Sequence, residues 1–248
     1  MLNLVSPIMH NLGDFSHCLP VISGLYKVVG EKMHFIICDK LERFNGIKDL
    51  LMAQGMFSQV SFVKEIPATD IRGILIDHIG SEDGCGDRPL ASHKMYTYIR
   101  DTYKLKFEYD DEFEMIVPKL DIDYFEKKFL VGDRWAATDA PDVDTRKGSN
   151  IIESSGVLDA NRVHYLDYSK DLIYNCSLIK YNPNPFITTI TGVAILADMM
   201  NKEVVVLWND EYKTQWPSIS GETIDKIYEL HHFKNRKTKM IFIDDFRL

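Results

Sequence analysis

The sequence predicts an α/β protein made of two domains, each built around a parallel β-sheet. Short apolar runs rich in β-branched residues alternate with segments of helical length, a pattern typical of strand–helix–strand units. An acidic, proline-containing stretch at residues 109–123 interrupts the alternation once. A length of 248 residues suits two domains of ordinary size. We therefore predict Rossmann-type domains over residues 1–115 and 116–248.

Four strands are expected in the first domain, at residues 2–5, 34–38, 60–63 and 71–79. Residues 21–29 place Val21, Ile22, Leu25 and Val28 on one helical face, and Gly30 supplies a stop signal. A second helix is predicted over residues 89–104, because a proline suits the first turn of a helix.

The second domain repeats the alternation. Its predicted strands are residues 129–131, 163–166, 173–178, 204–208 and 240–243, and its predicted helices include residues 193–200 and 222–231. We found no internal repeat and no low-complexity segment.

Composition and charge narrow the class of protein. The chain carries 37 acidic and 29 basic residues, for a formal net charge of −8, which disfavours sequence-independent coating of nucleic acid. The 4 cysteines form no Cys-x-x-Cys pair, which argues against a disulfide scaffold and a structural zinc site. Because we detect neither a long apolar run nor a secretion signal, we expect a cytoplasmic protein without a membrane span.

The first segment with chemical character follows the first predicted strand. Residues 9–20 read Met-His-Asn-Leu-Gly-Asp-Phe-Ser-His-Cys-Leu-Pro. Ligands of open α/β sheets bind at the carboxyl ends of strands, and Gly13 would allow a tight turn at such a ligand site. Asp14 would then face the ligand, or it would cap the following helix. His17 is either part of this site or a partly buried surface residue.

The order Gly-Asp-x-x-His-x-Leu-Pro after an opening strand resembles the start of the heptosyltransferase-like family of GT-B glycosyltransferases, which build bacterial lipopolysaccharide. Residues 76–80 resemble the family's strand ending in Asp, and residues 130–135 are similar to the Gly and Arg-Trp that open its second domain. Residues 191–197 and 204–207 resemble its donor-binding loop, helix and strand. The order of these fragments, rather than any one motif, carries the resemblance.

The resemblance implies two Rossmann-type domains facing each other across a cleft, the first for the acceptor and the second for the nucleotide sugar. The implied reaction is metal-independent transfer of a sugar to a hydroxyl of a glycan or lipopolysaccharide-type acceptor, with inversion and without a cofactor. The family's general base corresponds to Asp14, because a sugar hydroxyl must lose its proton to a carboxylate as the new bond forms. His17 would orient the acceptor or Asp14.

The diphosphate of the leaving group needs stabilising groups, and two sets of residues are candidates. The first set precedes the predicted helix at residues 193–200 and offers hydroxyls and N–H groups: Thr188, Thr189, Thr191 and Gly192. The second set follows the strand that ends near residue 132 and offers positive charge: Arg134, Arg146 and Lys147. Tyr181 or Phe186, beside turn-forming Asn-Pro steps, could stack on the nucleotide base.

Two departures from the family pattern leave other functions open. The family's donor loop carries an acid before its Ser/Thr-Gly pair and a histidine three residues after the glycine, where this chain has Ile190 and Ile195. Neither isoleucine can hydrogen-bond a sugar or a phosphate. The donor therefore differs from ADP-heptose, or other residues hold it, or the chain is a nucleotide-binding or partner-binding relative without turnover.

Two further alternatives are an unrelated doubly wound protein and a phage-type DNA glycosyltransferase that acts on hydroxymethylated bases. The DNA alternative requires a basic groove. Its candidates lie on or near one predicted helix: Arg88, Lys94, Arg100, Lys104 and Lys106.

We assign no metal, although the chain contains two Asp-x-Asp triplets, at residues 121–123 and 142–144. We interpret the first triplet as the cap of a helix beginning at Tyr124, and the second as a source of ion pairs with Arg146 and Lys147. The glycine-rich stretch at residues 80–87 lacks the Lys-Ser/Thr ending of a P-loop. Its acids would repel phosphate, so we expect it to form an acceptor-side loop.

Overall fold

The computed structural model of the chain consists of two compact units, Met1–Ile116 and Val117–Leu248. The structure describes residues 2–6, 12–38, 42, 44–64, 73–76, 91–132, 152, 155–189, 191–209 and 237–247, with only the backbone described at residues 13–15, 38 and 91–94. Each unit contains one sheet of parallel strands, which confirms the predicted α/β architecture. Within the described ranges, no helix is both long and apolar enough to cross a membrane. The acceptor and donor roles assigned to the two domains stay predictions.

The first unit holds a four-stranded sheet. Its elements are β1 (Asn3–Ser6), α1 (Leu12–Val29), β2 (Met33–Cys38), α2 (Ile47–Ala53), β3 (Phe57–Val63), β4 (Ile74–Leu75) and α3 (Ala91–Tyr103). The strand order is β3-β2-β1-β4. The chain therefore builds outward from β1 to β3 and then returns to place β4 on the other side of β1. Helices α1 and α3 pack against each other.

Helix α1 is longer than the sequence pattern predicts. It begins at Leu12 rather than near residue 21, so Gly13 and Asp14 lie in its first turn and Gly13 forms no separate turn. Pro20 lies inside this helix, where a proline typically costs about 3 kcal/mol. Leu12, Leu19 and Ile22 are fully or almost fully buried, and we infer that burial on both sides of Pro20 outweighs that cost.

The second unit holds a five-stranded sheet. Its elements are β5 (Phe129–Gly132), β6 (Val163–Tyr165), α4 (Leu172–Tyr181), β7 (Phe186–Thr188), α5 (Gly192–Met199), β8 (Val204–Trp208) and β9 (Thr238–Phe242), followed by a 3₁₀ turn at Ile243–Asp245. The strand order is β6-β5-β7-β8-β9. Val131, Ile187 and Leu207 form a buried cluster with Ile152 and Ile243, while α5 packs on β7 and β8.

Two predictions for the second unit were wrong. Residues 173–178 belong to helix α4 rather than to a strand, and Asp171 caps the helix by accepting a hydrogen bond from the Tyr174 N–H at 2.7 Å. The strand in this region is β7, which pairs with both β5 and β8. A short apolar run does not by itself distinguish a buried helix from a buried strand.

The segment before β5 forms turns rather than the predicted helix from Tyr124. Asp123 closes one of these turns by accepting a hydrogen bond from the Phe125 N–H at 2.8 Å. The buried Asn182 amide donates to the carbonyl oxygens of Tyr124, Phe125 and Lys128, so α4 and the segment are fastened together. The predicted helix at residues 222–231 and the stretch at residues 80–87 lie outside the described residues.

Candidate functional site

The second sheet has a topological switch point between β5 and β7. The chain places β6 on one side of β5 and then returns to place β7 on the other side. Connections that leave the carboxyl ends of such strands diverge and open a crevice, where open α/β sheets bind ligands. The Thr-Gly residues predicted from the sequence follow β7, and the segment with the predicted cations follows β5. The topology therefore brings the carboxyl ends of β5 and β7 side by side, with Gly132 paired to Thr188.

Thr188 links the two strands at this point. Its side chain is fully buried, and its hydroxyl donates a hydrogen bond to the Gly132 carbonyl oxygen at 2.7 Å. The two residues are also direct partners in the β5–β7 ladder. The structure thus gives Thr188 a part in the architecture of the crevice.

Thr189 and Thr191 differ from Thr188 in their hydrogen bonding. Both hydroxyl oxygens are buried, and neither has a hydrogen-bond partner in the described part of the chain. A buried polar group left unsatisfied typically costs about 1–3 kcal/mol. These hydroxyls are consequently suited to a ligand that supplies hydrogen-bond acceptors.

Thr191 is also the N-cap of α5, yet its side chain makes no capping hydrogen bond. The backbone bonds of this turn begin with the Ala194 N–H donating to the Thr191 carbonyl oxygen at 3.0 Å. The first N–H groups of a helix carry partial positive charge and attract anions. Gly192 opens the helix, so its N–H belongs to this group.

The structure places some predicted donor-site residues and not others. Ile195 lies one turn into α5 and is half-buried. Ile190, Arg134, Arg146 and Lys147 lie outside the described residues, as does the second Asp-x-Asp triplet. For these residues the sequence-based roles stay predictions.

Tyr168 is a candidate that the sequence analysis missed. It lies in the segment between β6 and α4, and its phenol oxygen is 3.3 Å from the position that a Cβ would take at Gly132. The Phe186 ring is closer still, with its Cζ 2.6 Å from that position, so the end of β5 accommodates only glycine without a shift. The sequence could have indicated Tyr168 only by its position, because it follows a predicted strand, as the other candidate residues do.

The prediction that Tyr181 or Phe186 stacks on a nucleotide base was wrong. Phe186 is completely buried within β7. Tyr181 ends α4, just before β7 begins, so it lies at the amino end of that strand. Its hydroxyl donates to the Val117 carbonyl oxygen at 2.9 Å. Neither ring is available at the carboxyl edge.

The first sheet has an equivalent switch point between β1 and β4. The two strands are neighbours, and the Ile76 N–H donates to the Val5 carbonyl oxygen at 2.7 Å. Ser6 ends β1, and its buried hydroxyl has no hydrogen-bond partner in the described ranges. The connection after β4, with residues 77–80 of the family-like motif, lies outside those ranges.

Asp14 belongs to the first turn of the helix that follows β1. Its side chain lies outside the described residues, but a negative charge in the first turn of a helix is favoured by the helix dipole. Such a position suits a carboxylate that must be ionised to accept a proton. His17 lies one turn further on and is only 4% exposed.

The structure describes only some of the basic side chains that the DNA-binding alternative requires. Arg100 and Lys106 line a groove of about 710 Å³ together with Lys27. Arg100 pairs with Asp101 at 2.8 Å, and Lys27 pairs with the buried Asp110 at 2.8 Å. Lys104 is exposed, whereas Arg88 and the Lys94 side chain lie outside the described residues. Because carboxylates accompany the cations, the groove does not favour a polyanion.

Comparisons with known proteins agree with the topology. No protein-family model and no curated protein sequence matches the chain. Three solved structures that match it are glycosyltransferases. The glycosyl transferase of family 9 from Veillonella parvula has a TM-score of 0.58 and 10% identity, over 97% of this chain and 86% of that chain.

The E. coli ADP-heptose lipopolysaccharide heptosyltransferase II has a TM-score of 0.56 and 11% identity, over 97% of this chain and 90% of that chain. The E. coli heptosyltransferase WaaC, solved with ADP, has a TM-score of 0.53 and 9% identity, over 97% and 93%. At such identities the likeness shows the fold. The chain therefore has the GT-B fold of the family 9 glycosyltransferases and heptosyltransferases, as the sequence resemblance predicts.

Proposed function

We propose that the protein is an inverting glycosyltransferase that moves a sugar from a nucleoside diphosphate-sugar to a hydroxyl of a glycan or lipopolysaccharide-type acceptor, without a metal ion. The observation that carries the proposal is the pair of buried, unpartnered hydroxyls of Thr189 and Thr191 at the N-terminus of α5. The fold supports it, because the matching structures are glycosyltransferases and one was solved with ADP.

In this proposal the second unit binds the donor. The hydroxyls of Thr189 and Thr191 and the N–H of Gly192 donate hydrogen bonds to diphosphate oxygens, and Arg134, Arg146 and Lys147 offset the charge that develops on the leaving group. Thr188 keeps β5 and β7 in register through Gly132.

The first unit would supply the base. Asp14 accepts the proton of the acceptor hydroxyl while that oxygen attacks the sugar carbon and the nucleoside diphosphate departs. His17 orients Asp14 or the acceptor, and Gly13 leaves room beside Asp14 for the acceptor. No cofactor takes part.

The binding step can be tested by titrating the protein with a panel of nucleoside diphosphates and comparing Thr189→Val and Thr191→Val with the wild type. Each substitution removes a hydroxyl at nearly constant shape, and we expect ~10- to 100-fold weaker binding, because a hydrogen bond to a charged group is lost. Thr102, exposed on α3, provides the matched Thr→Val control.

The Thr189→Val and Thr191→Val variants allow a second test, which measures the stability of the ligand-free protein. Removing a buried hydroxyl that lacks a partner should raise the melting temperature of the ligand-free protein, even though nucleotide binding weakens. A wild-type protein that binds no nucleoside diphosphate would refute the donor-site proposal. Nucleotide binding without sugar transfer to any acceptor would instead favour the non-catalytic relative, which the isoleucines at positions 190 and 195 leave open.

A further inference from the structure

We propose that the groove beside the C-terminal ends of α1 and α3 binds a saccharide chain, as a second carbohydrate site away from the place of sugar transfer. The groove, of about 710 Å³, is lined by the C-terminal part of α1, by Tyr96 and Arg100 of α3 and by residues 105–110. Its volume lies within the usual range of small-molecule sites. The inference goes beyond the proposed function and requires no assumption about the donor site.

The groove lies at the edge of the first sheet that is opposite to Asp14. Helix α1 begins after β1 and ends before β2, and as the crossover between parallel strands it returns the chain to their amino ends. A helical rise of about 1.5 Å per residue places Lys27 ~20 Å from Asp14 along the helix. A sugar bound in the groove is therefore not the sugar whose hydroxyl Asp14 would activate.

Two close contacts fix the shape of the groove. Residues 105–110 cross α1 at Gly24, where a Cβ would overlap the Glu108 carbonyl oxygen. On the α3 side, the Tyr96 hydroxyl donates to the Phe107 carbonyl oxygen at 2.9 Å, and the two rings lie at 77° with 5.1 Å between their centroids. A groove that is already formed binds a ligand at a smaller entropic cost.

The charged side chains of the groove place hydrogen-bond donors beside acceptors. Lys27 pairs with the buried Asp110 carboxylate at 2.8 Å, Arg100 pairs with Asp101 at 2.8 Å, and Lys106 is exposed. A hydroxyl group both donates and accepts hydrogen bonds, so one sugar hydroxyl can bind the cation and the carboxylate of such a pair. A polyanion would be repelled by the carboxylates. The pattern therefore favours a ligand rich in hydroxyls.

An apolar part of the same groove suits the C–H face of a sugar ring. The Val28 side chain is 61% exposed. The half-buried Tyr109 ring lies 6.1 Å from the Tyr96 ring, measured between centroids, and tyrosine combines an apolar body with a polar tip. An apolar peptide would cover Val28, but it would remove water from the paired charges without replacing the lost hydrogen bonds. A saccharide satisfies both parts of the groove.

The test measures binding of four neutral oligosaccharides, maltopentaose, cellopentaose, mannopentaose and chitopentaose, to the wild type, Val28→Ser and Lys106→Met. We expect the wild type to bind at least one of them, and each variant to bind it ~3- to 10-fold more weakly, because one contact is lost. In methyl-labelled protein, the Val28 resonances should shift during the titration. Both positions are exposed, so neither substitution should disturb the fold. Lys48→Met, at an exposed position of α2, is the matched control and should keep the wild-type affinity.

Each outcome supports or overturns the inference. A wild type that binds none of the four probes would overturn it, as would variants that bind as tightly as the wild type. Binding of heparin that is weakened by Lys106→Met, without binding of the neutral probes, would identify a site for polyanions instead.

Nucleotide titration separates this inference from the proposed function. Val28→Ser and Lys106→Met should bind nucleoside diphosphates as the wild type does, because the proposed donor site belongs to the unit Val117–Leu248. A groove that binds no saccharide therefore leaves the proposed function standing. A wild type that binds an oligosaccharide through Val28 and Lys106 but binds no nucleotide would refute the donor site alone.

Discussion

Thr188 and Thr189 are adjacent in the chain and have the same side chain, yet their hydroxyls differ in hydrogen bonding. The Thr188 hydroxyl donates a hydrogen bond to the carbonyl oxygen of Gly132, which lies 56 positions earlier in the chain. Thr189, equally buried, has no partner in the described ranges. Thr188 ends β7 and Thr189 follows it. Successive side chains of an extended segment project to opposite sides, so the two hydroxyls meet different surroundings.

Lys202 shows how burial alters a titratable group. It is 9% exposed, and its ammonium group donates to the Asn182 carbonyl oxygen. Burial lowers the pKa of Lys202 from its ordinary value of 10.5 to about 8, and the nearby Glu203 carboxylate offsets only part of that effect.

This shift predicts a pH dependence of stability. Between pH 8 and 10.5 the unfolded state holds a proton at Lys202 that the folded state has released, so stability must rise with pH. Relative to Lys202→Met, the free energy of unfolding of the wild type should increase by about 1–2 kcal/mol from pH 7.5 to pH 9.5, as measured by urea denaturation.

The matched control is Lys239→Met, because the exposed Lys239 pairs only loosely with Glu203, at 3.4 Å. Its difference from the wild type gives the baseline for replacing an exposed lysine beside the same carboxylate, against which the change for Lys202→Met is compared. A constant difference for Lys202→Met would show that Lys202 titrates normally in the folded state.

At the scale of elements, the fold depends on close crossings that glycine permits. Gly24 lies within α1, and a Cβ placed there would be 2.0 Å from the Glu108 carbonyl oxygen. The segment that crosses here is fastened by Asp110, which accepts a hydrogen bond from Ser23 at 2.5 Å and pairs with Lys27 at 2.8 Å.

Gly24→Ala should therefore destabilise the first unit, although alanine is the better helix former. The gain in helix propensity is about 0.5–1 kcal/mol, whereas overpacking typically costs about 1–3 kcal/mol, and here the obstructing atom belongs to the backbone. Val28→Ala, at a 61% exposed position of the same helix, should change stability by less than about 0.5 kcal/mol. Chemical denaturation of both variants checks the prediction, which fails if Gly24→Ala is as stable as the wild type.

At the scale of the whole molecule, each unit contains a parallel sheet with one topological switch point. Two of the candidates that the sequence motifs predict lie beside these switch points. Asp14 belongs to the helix after β1, and the Thr-Gly residues follow β7. Both strands flank the switch point of their sheet, where parallel sheets bind ligands.

The division into units predicts that base catalysis and donor binding are separable. Asp14 belongs to the unit Met1–Ile116, and Thr189 belongs to Val117–Leu248. Asp14→Asn should lower kcat by ~10²–10⁴-fold, the usual contribution of a general base, while the affinity for the nucleoside diphosphate changes little. Single-turnover kinetics with the productive donor, alongside nucleotide titration, measures both quantities.

Thr189→Val is the reciprocal variant, because it should weaken nucleotide binding and leave the chemical step of the bound complex less affected. If Asp14→Asn keeps most of its turnover, the assignment of Asp14 as the base is wrong. A loss of stability in parallel with activity would instead assign Asp14 a structural role in the first turn of α1, where the helix dipole favours a negative charge.

The sequence by itself determined the α/β class and the order of the chemistry-bearing segments, because alternating apolar runs and glycine-containing loops are local signals. It could not assign residues 173–178 to a helix or find β7, since short buried runs look alike until their neighbours are known. The contacts that Thr188 and Tyr168 make with Gly132 were also beyond the sequence. Both depend on Gly132, which strand pairing brings to them from a distant part of the chain. Only the tertiary structure decides which polar groups find partners, because those partners are fixed by the pairing of strands far apart in sequence.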